Sequence, residues 1–331
     1  MPSVRTAAVA LAALAGLLAP AAHAPETGPL AGRRPAPVRP GPPPFWINPD
    51  SVAAQQVSAW RRQGRGGDAR LLTRISGRPL AEWPGGPDPG PTVRRLTTSA
   101  ARVGRMAVLV TYNIPDRDCG AYSHGGSGDA AEYRWWIDAF AAGIGDRPAL
   151  VVVEPDAVAH LEAGCRAVRD ADERFALLSY AVQRLRRQPR AEVYLDAGNA
   201  SWIPDHRRLV APLRKAGIAR AHGFALNVSN YQTDATSLAY GRALSRALGG
   251  KHFVIDSSRN GRGPFAGPEA WCNPPGRGLG TAPTRRTRDR LLDAYLWVKR
   301  PGESDGSCRG GPPAGHWWPA SALSLARNAK R

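Results

Sequence analysis

The chain has no basic run longer than two residues, although 45 Lys+Arg against 27 Asp+Glu leave it with a net charge of +18 over 331 residues. Only four of the basic residues are lysine (Lys215, Lys251, Lys299, Lys330), and the arginines come as singles and doublets such as Arg94-Arg95 and Arg186-Arg187. No zinc-finger, basic-zipper or RRM-type signature accompanies them, so the excess reads as a solvated basic surface and no nucleic-acid partner is expected. Apolar runs of membrane length are missing apart from one candidate at the extreme N-terminus, which excludes a polytopic membrane protein. Cysteine is sparse and widely spaced at Cys119, Cys165, Cys272 and Cys308. The absence of any CxxC pair argues against zinc. There is no G-x-S-x-G elbow, no H-E-x-x-H pair and no P-loop lysine, which disfavours serine hydrolases, zincins and P-loop nucleotide hydrolases. Gly125-Gly126-Ser127-Gly128 lacks dinucleotide spacing and reads as a loop. Neither cofactor nor metal is expected.

What is present is a chain able to bury a substantial core, with 43% hydrophobic residues and ten Trp. Residues 1–24 read as a secretory signal: Arg5 in the n-region, an apolar stretch from Ala7 to Leu18, and an A-x-A site at Ala22-His23-Ala24. The apolar stretch is too short for a comfortable membrane anchor. Residues 25–44 are rich in Pro, Gly and Ala, a composition for an extended linker or tail. Residues 45–331 form the remaining single domain, expected to act as a secreted, extracellular monomer. Four cysteines in an exported chain predict two disulfides, with three connectivities open at this point.

Within that domain, β-branched runs alternate with helical patterns. Strands are predicted at 107–111, 149–153, 192–196, 224–227, 253–256 and 295–299, with a weaker one near 80–83. Helices are predicted near 133–144, 171–187, 205–215 and 236–248. Such alternation implies βα units and a parallel sheet, and about seven strands in one domain favours a distorted, TIM-barrel-like α/β barrel. In a parallel barrel the C-terminal strand ends carry the site. There the sequence places Tyr112 and Asp118, then Glu154 and Asp156, Asp196, Asn227, Asp256, and Lys299 with Glu303 and Asp305. Carboxylates without a histidine ligand suit a hard cation or acid/base catalysis. Trp83, Trp202 and Trp271 near the same loops suit stacking on sugar faces and point to glycoside hydrolysis.

Val110-Thr111-Tyr112-Asn113-Ile114-Pro115-Asp116-Arg117-Asp118-Cys119-Gly120 and Val151-Val152-Val153-Glu154-Pro155-Asp156 resemble the two signatures of glycoside hydrolase family 6, inverting β-1,4-glucanases and cellobiohydrolases. Asp196-Ala197-Gly198 with Trp202, Asn227 to Tyr231, Ile255 to Gly261, Trp271-Cys272-Asn273-Pro274 and Lys299 to Gly306 follow in the family's order, so the likeness covers nearly the whole mature chain. The resemblance implies Asp156 as general acid, Asp118 as the group that tunes its proton and organises water, and Asp305 at the position of a debated catalytic base. Tyr112 would press on the −1 sugar. Trp83, Trp202 and Trp271 would be platforms, and Asp196, Asn227, Lys299 and Glu303 would bind substrate. It also implies the pairs Cys119–Cys165 and Cys272–Cys308. Departures are Asp116 where Gly is common, His124 after Ser123, and Asn199 where His is frequent. Short connections between the motifs predict an open cleft and internal cleavage of β-1,4-glucan. A cellobiohydrolase or a non-catalytic glucan-binding relative is the alternative.

Overall fold

The computed structural model describes residues 44–329. The expected signal sequence and residues 25–43 of the expected tail lie outside them. Six parallel strands, β1 Ala107–Thr111, β2 Ala149–Val153, β3 Ala191–Asp196, β4 Gly223–Leu226, β5 His252–Asp256 and β6 Leu292–Leu296, pair in sequence order in one curled sheet. The helices in chain order are α1 Val52–Arg62, α2 Gly66–Ser76, α3 Gly90–Arg102, α4 Ala130–Ile144, α5 Ala157–Glu162, α6 Ala171–Arg186, α7 Val210–Lys215, α8 Asp234–Ala247 and α9 Pro319–Arg327.

Strand side chains alternate between two cores, as the period of two requires. Val108, Val110, Leu150, Val152, Ala225 and Val254 fill the concave side. Leu109, Val151, Val153, Val193, Phe224 and Ile255 pack outward against the helices. Both faces are covered, which is why the strands read as unbroken apolar runs. Helices α1, α2 and α9 lie outside the alternation read from the sequence and share a satellite core around Trp60, Leu72, Ile75 and Leu323.

Two strand expectations need correction. The seventh strand is reduced to a bridge: Glu82 N donates to Val108 O, Val110 N donates to Glu82 O, and Ala81 N reaches Trp297 O. The segment thus touches both β1 and the exit of β6, but Pro79 and Pro84 flank it, and proline without an N–H stops the ladder. The last strand lies three residues earlier than predicted. Beyond Leu296 the N–H groups of Val298 and Lys299 turn to the Asp256 carboxylate, at 3.2 and 2.9 Å, so Lys299 sits in a loop.

Both disulfides are formed, Cys119–Cys165 across 46 residues and Cys272–Cys308 across 36. Loops of this size constrain the unfolded chain by roughly 2–4 kcal/mol each. Reduction is therefore expected to lower the melting temperature and activity together, read by calorimetry and turnover with and without reductant. Unchanged melting would contradict the assigned role.

Candidate active site

Beyond the C-terminal strand ends lies a cavity of about 690 Å³ whose walls include Asp118, Asp156, Glu303 and Asp305, with Trp83, Trp202 and Trp271 also on the lining. The seven strand-end carboxylates divide by what their oxygens do. Glu154 is fully buried and accepts from Asn113 N, Ile114 N and the Tyr133 hydroxyl, so it shapes the turn after β1. Asp256 accepts from Ser229 N, Ser258 N, Val298 N and Lys299 N, tying three loops together. Both lie behind the cavity wall, their desolvation offset by backbone donors.

Asp156 is built differently. It opens α5 in a left-handed conformation (φ 71°), its own N–H spent on Asp196 Oδ1 at 2.9 Å and its carbonyl accepting from His160 N. Among the described residues its carboxyl receives no hydrogen bond. Burial first, then the charges of Asp196 and Asp118, push its pKa well above the usual carboxylate range, with Lys299 opposing. Asp196 is buried behind it and keeps Oδ2 without a partner, while burial raises its pKa too. Asp196 and Asn227 do not line the cavity. The Asn227 amide bonds Asp256 O and Gln232 N and O.

Across the cavity, Asp118 Oδ2 accepts from Ser123 N at 2.6 Å and from Ser123 Oγ at 2.8 Å. With its proton so committed, Ser123 Oγ accepts from Tyr112 OH, 3.0 Å away. Tyr112 is held between Trp83, edge-on at 5.4 Å, and the Arg117 guanidinium over its face at 5.0 Å. Burial pushes its phenol far up, so it remains a donor.

Asp305 is enclosed by cations and donors. Arg259 Nη1 lies 2.8 Å from both its oxygens, Tyr231 OH and Asn273 N each donate at 3.0 Å, and Lys299 Nζ stands 3.6 Å away. Burial alone would raise its pKa, but Arg259 and Lys299 hold it below the usual range. Lys299 Nζ also donates to Ser304 O, and Glu303 pairs with Arg300 at 2.6 Å.

Several lining residues had no signal in the motifs. His160 follows Asp156 by one helical turn, which puts both on one face of α5, and its ring meets Trp202 edge-on at 4.8 Å. Burial lowers its pKa to about 4, leaving it neutral at ordinary pH. Asn199, at one of the departures, accepts from Ser201 N, Ser201 Oγ and Trp202 N, and so sets the Trp202 loop. Asp116, at another, has φ 52°, the left-handed region where glycine is unstrained. The cleft also carries one contact from side to side. Tyr122, in the Asp118 loop, lies against Gly306, where any Cβ would meet its ring, and 6.0 Å from Trp271.

This arrangement places a carboxyl of raised pKa, one of lowered pKa and a hydroxyl chain around one aromatic-walled cavity, the equipment for acid-assisted cleavage of a sugar linkage. The chain is 44% identical over 290 residues to endoglucanase A of Cellulomonas fimi, covering 86% of this chain but 61% of that one, so it spans under two thirds of that relative. It is 40% identical to endoglucanase 1 of Streptomyces halstedii, covering 85% of this chain and 88% of the relative. Among solved structures it resembles the endoglucanase Cel6 from Mycobacterium tuberculosis, in complex with methyl-cellobiosyl-4-deoxy-4-thio-β-D-cellobioside, with a TM-score of 0.81, 44% identity, and coverage of 87% of this chain and 98% of that one. A family model for the glycosyl hydrolases family 6 matches residues 42–329, which include every described residue, and the chain belongs to that family.

Proposed function

We propose that the protein is a secreted, monomeric endo-β-1,4-glucanase that cleaves with inversion, with Asp156 as general acid. The observation that carries this reading is the Asp156 carboxyl itself, desolvated beside two further carboxyl groups and receiving no hydrogen bond that would favour its anion. A carboxyl so placed keeps its proton towards neutral pH and can deliver it to a glycosidic oxygen. Names of relatives and the family support the substrate class, and the tryptophans supply faces on which glucose rings can stack.

Inversion requires a water on the opposite face of the sugar. The Tyr112–Ser123–Asp118 chain supplies the means to orient it, since Asp118 Oδ1 makes no hydrogen bond among the described residues. Asp305 stays ionised. With a depressed pKa and both oxygens occupied, it has little proton affinity, so its role is electrostatic: stabilising the positive charge that develops on the sugar ring. Tyr112 and its Trp83 and Arg117 supports hold the sugar at the cleavage point. Internal cleavage is supported by the short loops, since the half-exposed ring of Tyr122 that crosses the cleft makes a packing interaction of order 1 kcal/mol that a polymer chain can displace.

Asp156→Asn is expected to lower kcat on cello-oligosaccharides by about 10²–10⁴-fold with binding retained, and NMR of early products from the wild type should show the α-anomer first. Near-normal turnover, or β-product, would refute the assignment.

The pH dependence has a definite sign. Asp156 must be protonated, so activity is present below its pKa and lost as pH rises through it. Asp118→Asn removes an anion that raises this pKa. The alkaline limb of kcat/KM should therefore move to lower pH, and a limb that stays or moves upward would contradict the proposed coupling.

Internal cleavage predicts a steep fall in carboxymethyl-cellulose viscosity for few reducing ends released. Cellobiose-dominated products with little viscosity change would favour the cellobiohydrolase alternative.

A further inference from the structure

Arg174 violates two local rules. It places a cation at the end of the first turn of α6, where the helix dipole disfavours positive charge. It also buries that cation, at 3% exposure, with no carboxylate within 4 Å among the described residues. Desolvation of a guanidinium is costly unless its donors are used. Its Nη2 donates to the carbonyl oxygens of Pro115 and Asp116, while Nη1 has no partner among the described residues.

Those two carbonyls belong to the turn that leads into Asp118. Asp116, Asp118 and Cys119 all have φ between 51° and 57°, in the left-handed region. Such residues cost of order 1 kcal/mol each and persist only where surroundings over-determine them. On the outer side the Cys119–Cys165 bridge ties this run to the chain just past α5. On the inner side Arg174 is the brace. Pro115 supplies no N–H of its own, so its carbonyl is the handle by which the run can be gripped.

We propose that Arg174 is a positioning residue for the proposed reaction: through the Pro115 and Asp116 carbonyls it fixes the turn, left-handed at Asp116, Asp118 and Cys119, that aims Asp118 at the Ser123–Tyr112 chain. Arg174 touches neither the cavity nor the reacting atoms. The inference rests on the reading of Asp118 as part of the water-orienting machinery, and it names what holds that carboxylate in place. A guanidinium reaches two adjacent carbonyls from one nitrogen while its planar fork holds that nitrogen in a fixed direction and keeps its charge; glutamine lacks the charge, and lysine offers the donors on a mobile ammonium. Misplacement of a reacting group by about 1 Å costs around 100-fold, so the effect should appear in kcat rather than in binding.

The test is a double-mutant cycle in the full chain, with kcat and KM taken per folded molecule well below the melting temperature. Arg174→Gln is expected to lower kcat roughly 10–100-fold with KM within about twofold. Arg174→Lys, which keeps the charge and a donating nitrogen but not the planar fork, should recover part of the loss, and it carries the cycle if the Gln variant does not fold. In an Asp118→Asn background either substitution should cost less than about twofold, because its effect passes through Asp118. Equal losses in both backgrounds, or a lower melting temperature with unchanged kcat per folded molecule, would overturn the proposal. If Asp118→Asn itself kept wild-type kcat, the reading of Asp118 would fall with it. An impaired but measurable Asp118→Asn with additive Arg174 losses would sink only the positioning role.

Discussion

A carboxyl deprived of donors is the constraint around which this molecule is organised. On the proposed reading Asp156 holds a proton that water would strip from it, and the means are negative: among the described residues no N–H and no guanidinium reaches its oxygens. The groups beside it are chosen to the same end. Asp196 and Asp118 add negative charge, while the cation that opposes them, Lys299, is drawn away towards Ser304 and Asp305. Asp305 receives the opposite treatment, with a guanidinium, an ammonium, a phenol and a backbone N–H all directed at it. Two carboxyl groups in one cavity are thereby driven apart in pKa, the pattern by which a site separates a proton donor from a standing charge.

Holding that contrast requires loops that cannot drift, and regular secondary structure ends before the site begins. Side chains replace the ladder. Asp256 takes four N–H groups from three loops, Glu154 shapes the turn after β1, and Arg259 joins the Asp305 loop to Ser229 O. Left-handed residues at Asp116, Asp118, Cys119, Glu154, Asp156 and Asn227 mark where the chain is bent to aim these groups. Their strain is tolerable because each sits beside a buried brace or a disulfide.

This division explains what could be read in advance. β1 and β2 matched their apolar runs residue for residue, because burial on both faces leaves a composition signal. Helix α6 was legible through its amphipathic spacing, with Asp170 capping it by accepting from Glu173 N. The end of β6 was misread by three residues because the Asp256 side chain, 42 and 43 residues away in sequence, takes the N–H groups of Val298 and Lys299. Asp118, Asp156 and Asp305 were visible as carboxylates near strand ends. Whether a strand-end carboxylate faces the cavity or the backbone was not visible, and Glu154 and Asp256 show why: that depends on N–H groups from distant loops. His160 and Arg174 were silent for the same reason.

The composition itself becomes intelligible at this level. Arginine outnumbers lysine about tenfold, and part of that arginine works inward on backbone carbonyls rather than outward on anions. Arg117 donates to Tyr112 O and Ser123 O, Arg277 to Gly263 O, Arg74 to Ala326 O and Arg174 to the turn before Asp118. A carbonyl in an irregular loop needs a donor, and a guanidinium offers several in a fixed plane where an ammonium offers a mobile point. Each such brace adds one positive charge with no carboxylate to balance it. Some of the net charge is thus a by-product of loops that must be stiff without strands, and, on the proposed reading of Asp156, of keeping its carboxyl away from donors that would draw off its proton.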